Sequence, residues 1–201
     1  MTDQIVTRRT PEARAFRAER VIEVATELAT EGGYDGVQMR EVARRAPVAL
    51  ATLYRYYPSK DELLRAAIGA QLEALESDIT RRPPRQHSAS GRAAEAFIRA
   101  FHAMGRSRGF AHAAMSSFQT PRPLQLDPEG EPRPKSTRFS EIATLAAWGV
   151  DHHPTSDQRK ALAVLESLWV SSVIDWLNGQ LTASYVDSQL RFAADRLLDE
   201  S

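Results

Sequence analysis

Residues 48–60 carry the side chains of this sequence that are best suited to binding a polyanion, because hydroxyls and cations alternate there with small residues. On a helix, residues three and four apart share a face, so Thr52 and Tyr56 lie together while Leu53 faces another way. Small residues allow the backbone to approach a groove, and phenol hydroxyls donate to phosphate oxygens. The segment therefore predicts a short helix with an apolar face and a polar face directed at DNA.

A second short helix is predicted immediately upstream, over residues 38–46. Its apolar stripe follows the spacing i, i+3, i+4 and i+7 and consists of Met39, Val42, Ala43 and Ala46. Together the two segments have the pattern of a helix-turn-helix. Residues 37–60 hold five Lys or Arg against one acid, whereas the whole chain has 26 residues of each sign. A locally basic segment in a neutral chain is typical of a compact phosphate-binding face.

The side chains expected to contact DNA come from both helices and from the start of the next one. Pro58 ends the second helix and Ser59 is placed to cap a third, in whose first turn Lys60 lies. A cation there opposes the helix dipole unless a phosphate is nearby. The expected DNA contacts are Gln38, Arg40, Ala49, Leu50, Thr52, Tyr54, Tyr56 and Lys60. The early arginines either contact the DNA backbone or form a solvated face, and both interpretations remain equally open. They are Arg8, Arg9, Arg14, Arg17 and Arg20.

Three motifs of this region also occur in a known family: Gly33-Tyr34-Asp35-Gly36, Arg40-Glu41-Val42-Ala43 and Thr52-Leu53-Tyr54-Arg55-Tyr56-Tyr57-Pro58-Ser59-Lys60. Through them the chain resembles the TetR family of one-component bacterial regulators over about residues 14 to 75. Within that family it is most similar to the actinobacterial KstR-type repressors of sterol catabolism. The resemblance implies an all-α fold, with an N-terminal three-helix helix-turn-helix DNA-binding domain and a C-terminal helical domain for ligand binding and dimerisation.

Two positions depart from the family pattern. Pro47 stands where the family often has Gly, Asp or Glu, and it biases Ala46 away from the helical region, so the turn is expected to be built differently. Gln38 stands where the family usually supplies a Thr or Ser cap. Glu41, three residues later, is placed to satisfy the backbone N–H of residue 38 as half of a capping box.

Composition excludes several classes of protein. A chain of 201 residues with 42% apolar residues is long enough to build a substantial core, and it is not a disordered tail. The lack of cysteine excludes disulfide scaffolds, thiolate zinc sites and cysteine nucleophiles. No stretch approaches the roughly 18 apolar residues of a membrane span. We therefore expect a cytoplasmic protein with no membrane partner. No cofactor or catalytic site is expected either. A metal site is not expected at the adjacent His152 and His153, because they precede Pro154 in a predicted loop.

Helical periodicity divides the chain into three parts. Residues 1–11 form a polar arm, residues 12–59 the helix-turn-helix domain and residues 60–201 the effector-binding and dimerisation domain. The first helix is predicted over about 12–31, with Gly32 and Gly33 as its stop. Later helices are predicted near 60–81, 91–106, 109–119, 138–150, 156–179 and 183–199. Residues 120–137 hold five prolines and are predicted to be a long loop.

The segment over residues 161–181 places apolar side chains on nearly all sides of its helix, which requires burial against two neighbours. One neighbour is the chain's own core, and a partner subunit is the other. In the TetR family the last two long helices form a four-helix dimer interface, which agrees with this pattern. The expected interface residues are Leu165, Val173, Asp175, Leu190 and Leu197. An ion pair or hydrogen bond across that interface is the favoured partner of Asp175.

Aromatic and methionine side chains of the last domain are candidates for the lining of an apolar pocket. Each taken singly fits plain core packing better, but the resemblance implies an effector cavity here. The candidates are Phe97, Phe101, Met104, Met115, Phe118, Trp148, Trp169 and Trp176. By resemblance the effector is a hydrophobic molecule such as a steroid or fatty acyl-CoA thioester. Candidate cations for the CoA portion are Arg99, Arg106, Arg108 and Arg122.

These expectations describe a homodimeric, ligand-responsive repressor that binds double-stranded operator DNA and is released by its effector. The alternative is a lipid-binding carrier or enzyme that keeps a helix-turn-helix as a scaffold. A carrier or enzyme predicts no specific DNA site, whereas a regulator predicts specific DNA binding and no turnover.

Overall fold

A computed structural model describes residues 11–118 and 138–198 of the chain, with side chains from residue 17 onward. Within those ranges there are nine helices and no strand, which confirms the predicted all-α fold. The helices are α1 (Pro11–Gly36), α2 (Met39–Arg45), α3 (Leu50–Tyr56), α4 (Lys60–Arg81), α5 (Ala89–Gly105), α6 (Arg108–Ser117), α7 (Arg138–Trp148), α8 (Ser156–Leu177) and α9 (Ala183–Leu198). We call α1 to α3 the head and α5 to α9 the body, and α4 joins them. Among the described helices, none combines the length and hydropathy that crossing a bilayer requires.

Hydroxyl side chains fix where several helices begin. Ser59 accepts a hydrogen bond from the Glu62 backbone N–H and starts α4 as predicted. Ser88 and Ser107 cap α5 and α6 in the same way. The start of α8 has a complete capping box, built by Thr155 and Gln158. Each cap satisfies a backbone donor that the helix itself leaves unpaired.

The two glycines near the end of α1 produce a kink instead of the predicted stop. Gly33 has φ 62° and ψ −153°, and Gly32 is also outside the helical region, yet the helix resumes and ends at Gly36. A left-handed φ of this kind favours glycine because it has no Cβ. The kink turns the last residues of α1 towards α4.

The body is built around α5, which packs against α7, α9, α8 and α6. Its central contact is aromatic. The rings of Phe97 and Phe139 have centroids 4.5 Å apart, and Phe139 meets Trp169 edge to face at 5.0 Å. The indole N–H of Trp169 donates to the Phe97 carbonyl oxygen at 3.0 Å. These rings therefore fill the space between α5, α7 and α8.

Helix α6 connects the body to the head through direct backbone contact with α1. A Cβ built on Gly109 would lie 2.5 Å from the Thr30 carbonyl oxygen and 2.7 Å from that of Ala29. No side chain fits at such distances, so glycine allows the two helices to approach this closely.

Three of the five expected dimer-interface residues lie inside their own chain. Leu165, Val173 and Leu190 are each 0% exposed, so a partner subunit has no access to them. Helix α8 also differs from the prediction of an apolar surface on all sides, because Ser167 and Ser171 lie on its exposed face. Apolar spacing marked these residues correctly as buried, but their neighbours belong to the same chain.

We predict that Phe97→Ala lowers the free energy of unfolding by about 3–5 kcal/mol, because it removes a buried ring from the aromatic contact of the body. Phe118, which is 52% exposed, is the matched control, and Phe118→Ala should change stability by less than about 0.5 kcal/mol. Urea denaturation at a fixed protein concentration measures both. Equal losses in the two variants would contradict the assignment of Phe97 to the core.

Candidate nucleic-acid interface

Helix α3 presents the polar face that the sequence predicts. Leu53 is 2% exposed and anchors the helix to the core, while Tyr54 and Tyr56 are 45% and 58% exposed. Ala51 and Arg55, which lie opposite Leu53 on the helix, are exposed as well. The helix therefore has a continuous exposed surface of small, phenolic and cationic side chains.

The eight side chains expected to contact DNA are placed around this surface. Gln38, Arg40 and Ala49 are exposed, as are both tyrosines of α3. Leu50 and Thr52 are half-buried at the flanks of α3, and Lys60 is half-buried at the start of α4. Arg55 was not among the expected contacts. Its position two residues after the buried Leu53 places it on the opposite side of the helix, and this spacing could have predicted its exposure.

The turn between α2 and α3 accommodates Pro47 without losing a hydrogen bond. Ala46 leaves the helical region with φ −93° and ψ 20°, and its N–H still donates to the Val42 carbonyl oxygen at 2.9 Å. The Val48 N–H donates to the Ala43 carbonyl oxygen at 3.1 Å. Pro47 itself is exposed and has no N–H to satisfy, so its presence removes no donor from these two bonds.

Glu41 binds two arginines, and this use of its side chain replaces the expected capping role. Its carboxylate accepts two hydrogen bonds from Arg44, at 2.8 and 2.6 Å, and a third from Nε of Arg45 at 2.8 Å. The bonds from Arg44 and then from Arg45 lower the pKa of Glu41 to about 2. The side chain of Gln38 makes no capping hydrogen bond, so α2 begins without one.

Lys60 fastens the start of α4 to the end of α1. Its ammonium lies 3.6 Å from the centroid of the Tyr34 ring and donates to the Tyr34 carbonyl oxygen at 3.0 Å. The Tyr34 hydroxyl donates to Asp61 at 2.6 Å, and this bond raises the pKa of Tyr34. The structure thus supplies partners that offset the unfavourable dipole position of Lys60. Its contact with a DNA phosphate stays a prediction.

The cations of the head differ in how freely they can meet phosphate. Arg44 and Arg45 are paired with Glu41, and Arg45 also reaches Glu31 at 3.3 Å. Arg40 is exposed and has no acidic partner in the part of the chain that the structure describes. Of the five cations counted in residues 37–60, Arg40 and Arg55 are therefore exposed without an acidic partner among the described residues, whereas Arg44 and Arg45 share the carboxylate of Glu41.

The expected ligand-lining residues lie on or directly beside α5, α6, α7 and α8, and they differ in burial. Phe97, Phe101, Met115 and Trp169 are buried, Met104, Trp148 and Trp176 are half-buried and Phe118 is exposed. Phe101 meets Trp176 edge to face at 5.4 Å, and Trp148 stacks on His152 at 4.8 Å. Phe139, which the sequence analysis missed, lies at the centre of the buried rings.

A cavity of about 310 Å³ lies instead between α4, α7, the turn after α7 and the start of α8. Apolar, hydroxyl and charged side chains all line it. The residues that line it are Glu76, Ser140, Glu141, Thr144, Leu145, Gly149, Val150, His152, Pro154, Arg159, Leu162 and Ala163. None of the eight expected aromatic and methionine residues is among them.

Two of the candidate cations for a CoA portion have partners inside the chain. Arg99 pairs with Glu95 and Asp78, each at 3.2 Å. Arg108 donates to the Leu177 carbonyl oxygen at 2.7 Å and lies 4.5 Å from the Trp176 ring. Arg106 is exposed. Arg122, the loop predicted over 120–137 and nearly all of the polar arm lie outside the described residues.

Comparison with known proteins identifies the family. Residues 21–67 match the model of bacterial regulatory proteins of the tetR family. The HTH-type transcriptional repressor KstR of Rhodococcus jostii is 31% identical over 196 residues, which cover 94% of this chain and 85% of that repressor. The chain belongs to the TetR family. It is therefore a helix-turn-helix transcriptional regulator and not an enzyme, and the expected similarity to KstR-type repressors is confirmed.

Solved structures of TetR-family members share its fold. A TetR transcriptional regulator from Rhodococcus sp. RHA1 superposes with a TM-score of 0.80 at 30% identity, covering 92% of this chain and 97% of that one. The regulator FadR from Bacillus subtilis, crystallised in complex with stearoyl-CoA, has a TM-score of 0.51 at 18% identity and covers 91% and 98%. The second likeness establishes the fold alone.

We predict that Glu41→Gln strengthens binding to DNA of any sequence, because it removes the carboxylate that holds Arg44 and Arg45. The plot of log affinity against log salt should become steeper by about 0.9 for each guanidinium that gains a phosphate. Fluorescence anisotropy with a scrambled duplex over a salt series measures this slope.

The matched control is Glu73→Gln, which removes an exposed acid of α4 without releasing either arginine. Both variants lose the same charge, so a difference between their slopes isolates the release of the arginines. Identical slopes for the two variants would count against the role given to Glu41.

Proposed function

We propose that this TetR-family regulator is a homodimeric repressor that a hydrophobic effector releases from its operator. The observation that carries the proposal is the exposed face of α3, where Thr52, Tyr54 and Arg55 surround a helix anchored by the buried Leu53. Each of two such helices would enter the major groove at one half-site. Helix-turn-helix dimers place their half-sites about 34–36 Å apart or at a multiple of that distance.

Exposed apolar residues on the last two helices support a second copy of the chain as the partner. Val164 and Ile174 are 53% and 40% exposed on α8, and Tyr185 and Phe192 are 56% and 64% exposed on α9. Large apolar side chains at such exposure are typical of an interface. We assign the dimer contact to these residues, with the half-buried Asp175 and Leu197 beside them.

The effector is proposed to be a steroid or fatty acyl-CoA thioester. The support is the similarity to KstR repressors, together with the stearoyl-CoA bound by the FadR neighbour. The body cavity of about 310 Å³ lies at the lower end of the roughly 300–1,000 Å³ typical of ligand sites. We infer that the apolar part of the thioester enters between Leu145 and Leu162, and that the larger CoA part stays at the surface.

The decisive experiment is fluorescence anisotropy with the upstream intergenic DNA of this protein's own gene and with a scrambled duplex, at two salt concentrations. A repressor should prefer the native duplex at both, because base contacts persist when counterions weaken the phosphate contacts. Equal binding to the native and the scrambled duplex, lost at the higher salt, would indicate an electrostatic contact only. That result would contradict the proposed operator function.

We predict that Thr52→Ala and Tyr54→Phe each weaken binding to the native duplex, by about 1–3 kcal/mol where a contact to a base edge is lost. Neither position is on α8 or α9, where the dimer contact is proposed, so the dimer should survive. The control is Val150→Ala, at a residue that is 83% exposed in the body. If neither head variant binds more weakly than the control, these residues do not contact the operator.

Helices α6 and α4 are proposed to couple effector binding in the body to the position of the head. Helix α4 is included because it belongs to both parts. The support is the backbone contact of Gly109 with α1 and the bond from Arg108 to the end of α8. An effector releases DNA only if it binds the released arrangement of the protein more tightly than the DNA-bound one. The coupling between effector binding and operator binding is reciprocal. Operator binding should therefore alter the body.

We predict that Gly109→Ala removes this coupling, because the added Cβ pushes α6 away from α1. All three tryptophans are in the body, at positions 148, 169 and 176, so their emission reports on the body when operator binds the head. Operator should change that emission in the wild type and in the control Gly69→Ala, where nothing lies within 4 Å of an added Cβ. An unaltered response in Gly109→Ala would show that another contact carries the coupling.

A further inference from the structure

The cavity beside α7 has polar groups of different kinds at its two ends. Ser140 lies near the start of α7 and Gly149 just past its end, about 13 Å apart at a rise of roughly 1.5 Å per helical residue. Leu145 lies between them on α7, and Leu162 lines the same space from α8. An elongated molecule in the cavity therefore meets apolar side chains along its length and a different polar environment at each end.

The end near the start of α7 offers hydrogen-bond acceptors. The Ser140 hydroxyl donates to Glu166 at 2.9 Å, and the Thr144 hydroxyl donates to the Ser140 carbonyl oxygen at 2.8 Å. Because a hydroxyl has a single hydrogen, both oxygens are left as acceptors. The carboxylates of Glu76 and Glu141 line the same end, and an ionised carboxylate only accepts. A ligand group placed here has to donate a hydrogen bond.

The two carboxylates at this end do not call for a cationic ligand. Glu76 is paired with Arg138 at 2.6 Å, and Glu141 is exposed, so the charge of one is neutralised and that of the other is hydrated. The group that fits best is a neutral donor, and a hydroxyl is the simplest one. A ligand carboxylate or carbonyl, which only accepts, would be opposed by this wall.

The opposite end holds Arg159, the only cation that lines the cavity within the described ranges. One of its terminal nitrogens donates to the Pro154 carbonyl oxygen, which fixes the guanidinium at the turn after α7 and leaves further N–H donors for a ligand. Arg159 is exposed, as a contact with a CoA portion at the surface requires. Arg99, Arg106 and Arg108, which were expected to bind a CoA portion, do not line this cavity.

We propose that the cavity selects an acyl thioester whose far end carries a hydroxyl. Arg159 contacts the phosphates of the CoA portion, and Ser140 and Thr144 accept the hydrogen bond of the hydroxyl. The inference rests on the proposed effector role of the cavity and adds the feature by which effectors are distinguished. A chain ending in a methyl group would leave the two buried acceptors without a partner, and a site built for a hydroxyl discriminates against an analogue that lacks it.

Three thioesters that differ only at the far end test this selectivity: dodecanoyl-CoA, ω-hydroxydodecanoyl-CoA and dodecanedioyl-CoA. Isothermal titration calorimetry with the full chain, without DNA, measures their affinities. The hydroxylated thioester should bind about fivefold more tightly than dodecanoyl-CoA, the effect of one net hydrogen bond. Dodecanedioyl-CoA should bind more weakly than both, because its far carboxylate meets acceptors.

Thr144→Val tests the acceptor end, since it keeps the shape of the side chain and removes its oxygen. The preference for the hydroxylated thioester should fall to about twofold or less, while the affinity for dodecanoyl-CoA is kept. The matched control is Thr26→Val in the head. Thr26 is also half-buried and donates to a carbonyl four residues earlier, at 2.9 Å, but it does not line the cavity. It should keep the fivefold preference.

Arg159→Gln tests the cationic end. It should weaken binding of all three thioesters by about tenfold and leave the preference for the hydroxyl unchanged. The matched control is Lys160→Gln, which removes the same charge one residue later. Lys160 is paired with Asp157 at 3.1 Å and does not line the cavity, so the control should keep the wild-type affinities. Circular dichroism establishes that each variant is folded.

The proposal would be overturned by equal affinity for the hydroxylated and plain thioesters, by tighter binding of dodecanedioyl-CoA, or by failure of all three to bind. A preference for the hydroxyl that survives Thr144→Val would also contradict it. The proposed function fails separately, because preference for the native duplex and release from it are measured with DNA. Selective binding of ω-hydroxydodecanoyl-CoA without release of the operator would leave the selectivity of the cavity standing and contradict its effector role.

Discussion

The approach of Gly109 to the carbonyl oxygens of Ala29 and Thr30 is the constraint on which the arrangement of head and body depends. Where two backbones are in contact, no side chain lies between them that could absorb a shift. A displacement of α6 therefore either moves α1 with it or breaks the packing of the two helices. The kink at Gly33 lies just beyond this contact and leads to Tyr34, where Lys60 and Asp61 attach α4. The position of the whole head is therefore set at one end of a short body helix.

Both ends of α6 are also fixed to other helices. Arg108 at its start donates to a carbonyl at the end of α8, and the guanidinium of Arg65 on α4 donates to the Ser117 carbonyl oxygen at 2.9 Å at its end. The side chain of Arg65 is 10% exposed, so its charge is held in a largely desolvated place. Helix α6 thus touches the head, the joining helix and the proposed dimer helix within ten residues.

Local rules in the sequence predicted the helices, the cap at Ser59 and the open face of α3, because capping residues and helical phase act over three or four positions. They could not show which cations are already paired, since the bond between Arg45 and Glu31 depends on how α1 and α2 pack. Periodicity marked Leu165, Val173 and Leu190 as buried but does not distinguish a chain's own core from a partner. The cavity beside α7 and the role of Gly109 arise from tertiary approach, which no local pattern encodes.

The pairing of Glu41 with Arg44 and Arg45 also affects how a regulator finds its site. Every stretch of a chromosome offers phosphates, and roughly 10⁶–10⁹ nonspecific sites compete with the operator for a regulator. A carboxylate with a pKa of about 2 keeps its charge throughout the range of a living cell, so the two arginines remain occupied. The acid in the middle of a basic motif thus lowers the net positive charge that this motif offers to any phosphate.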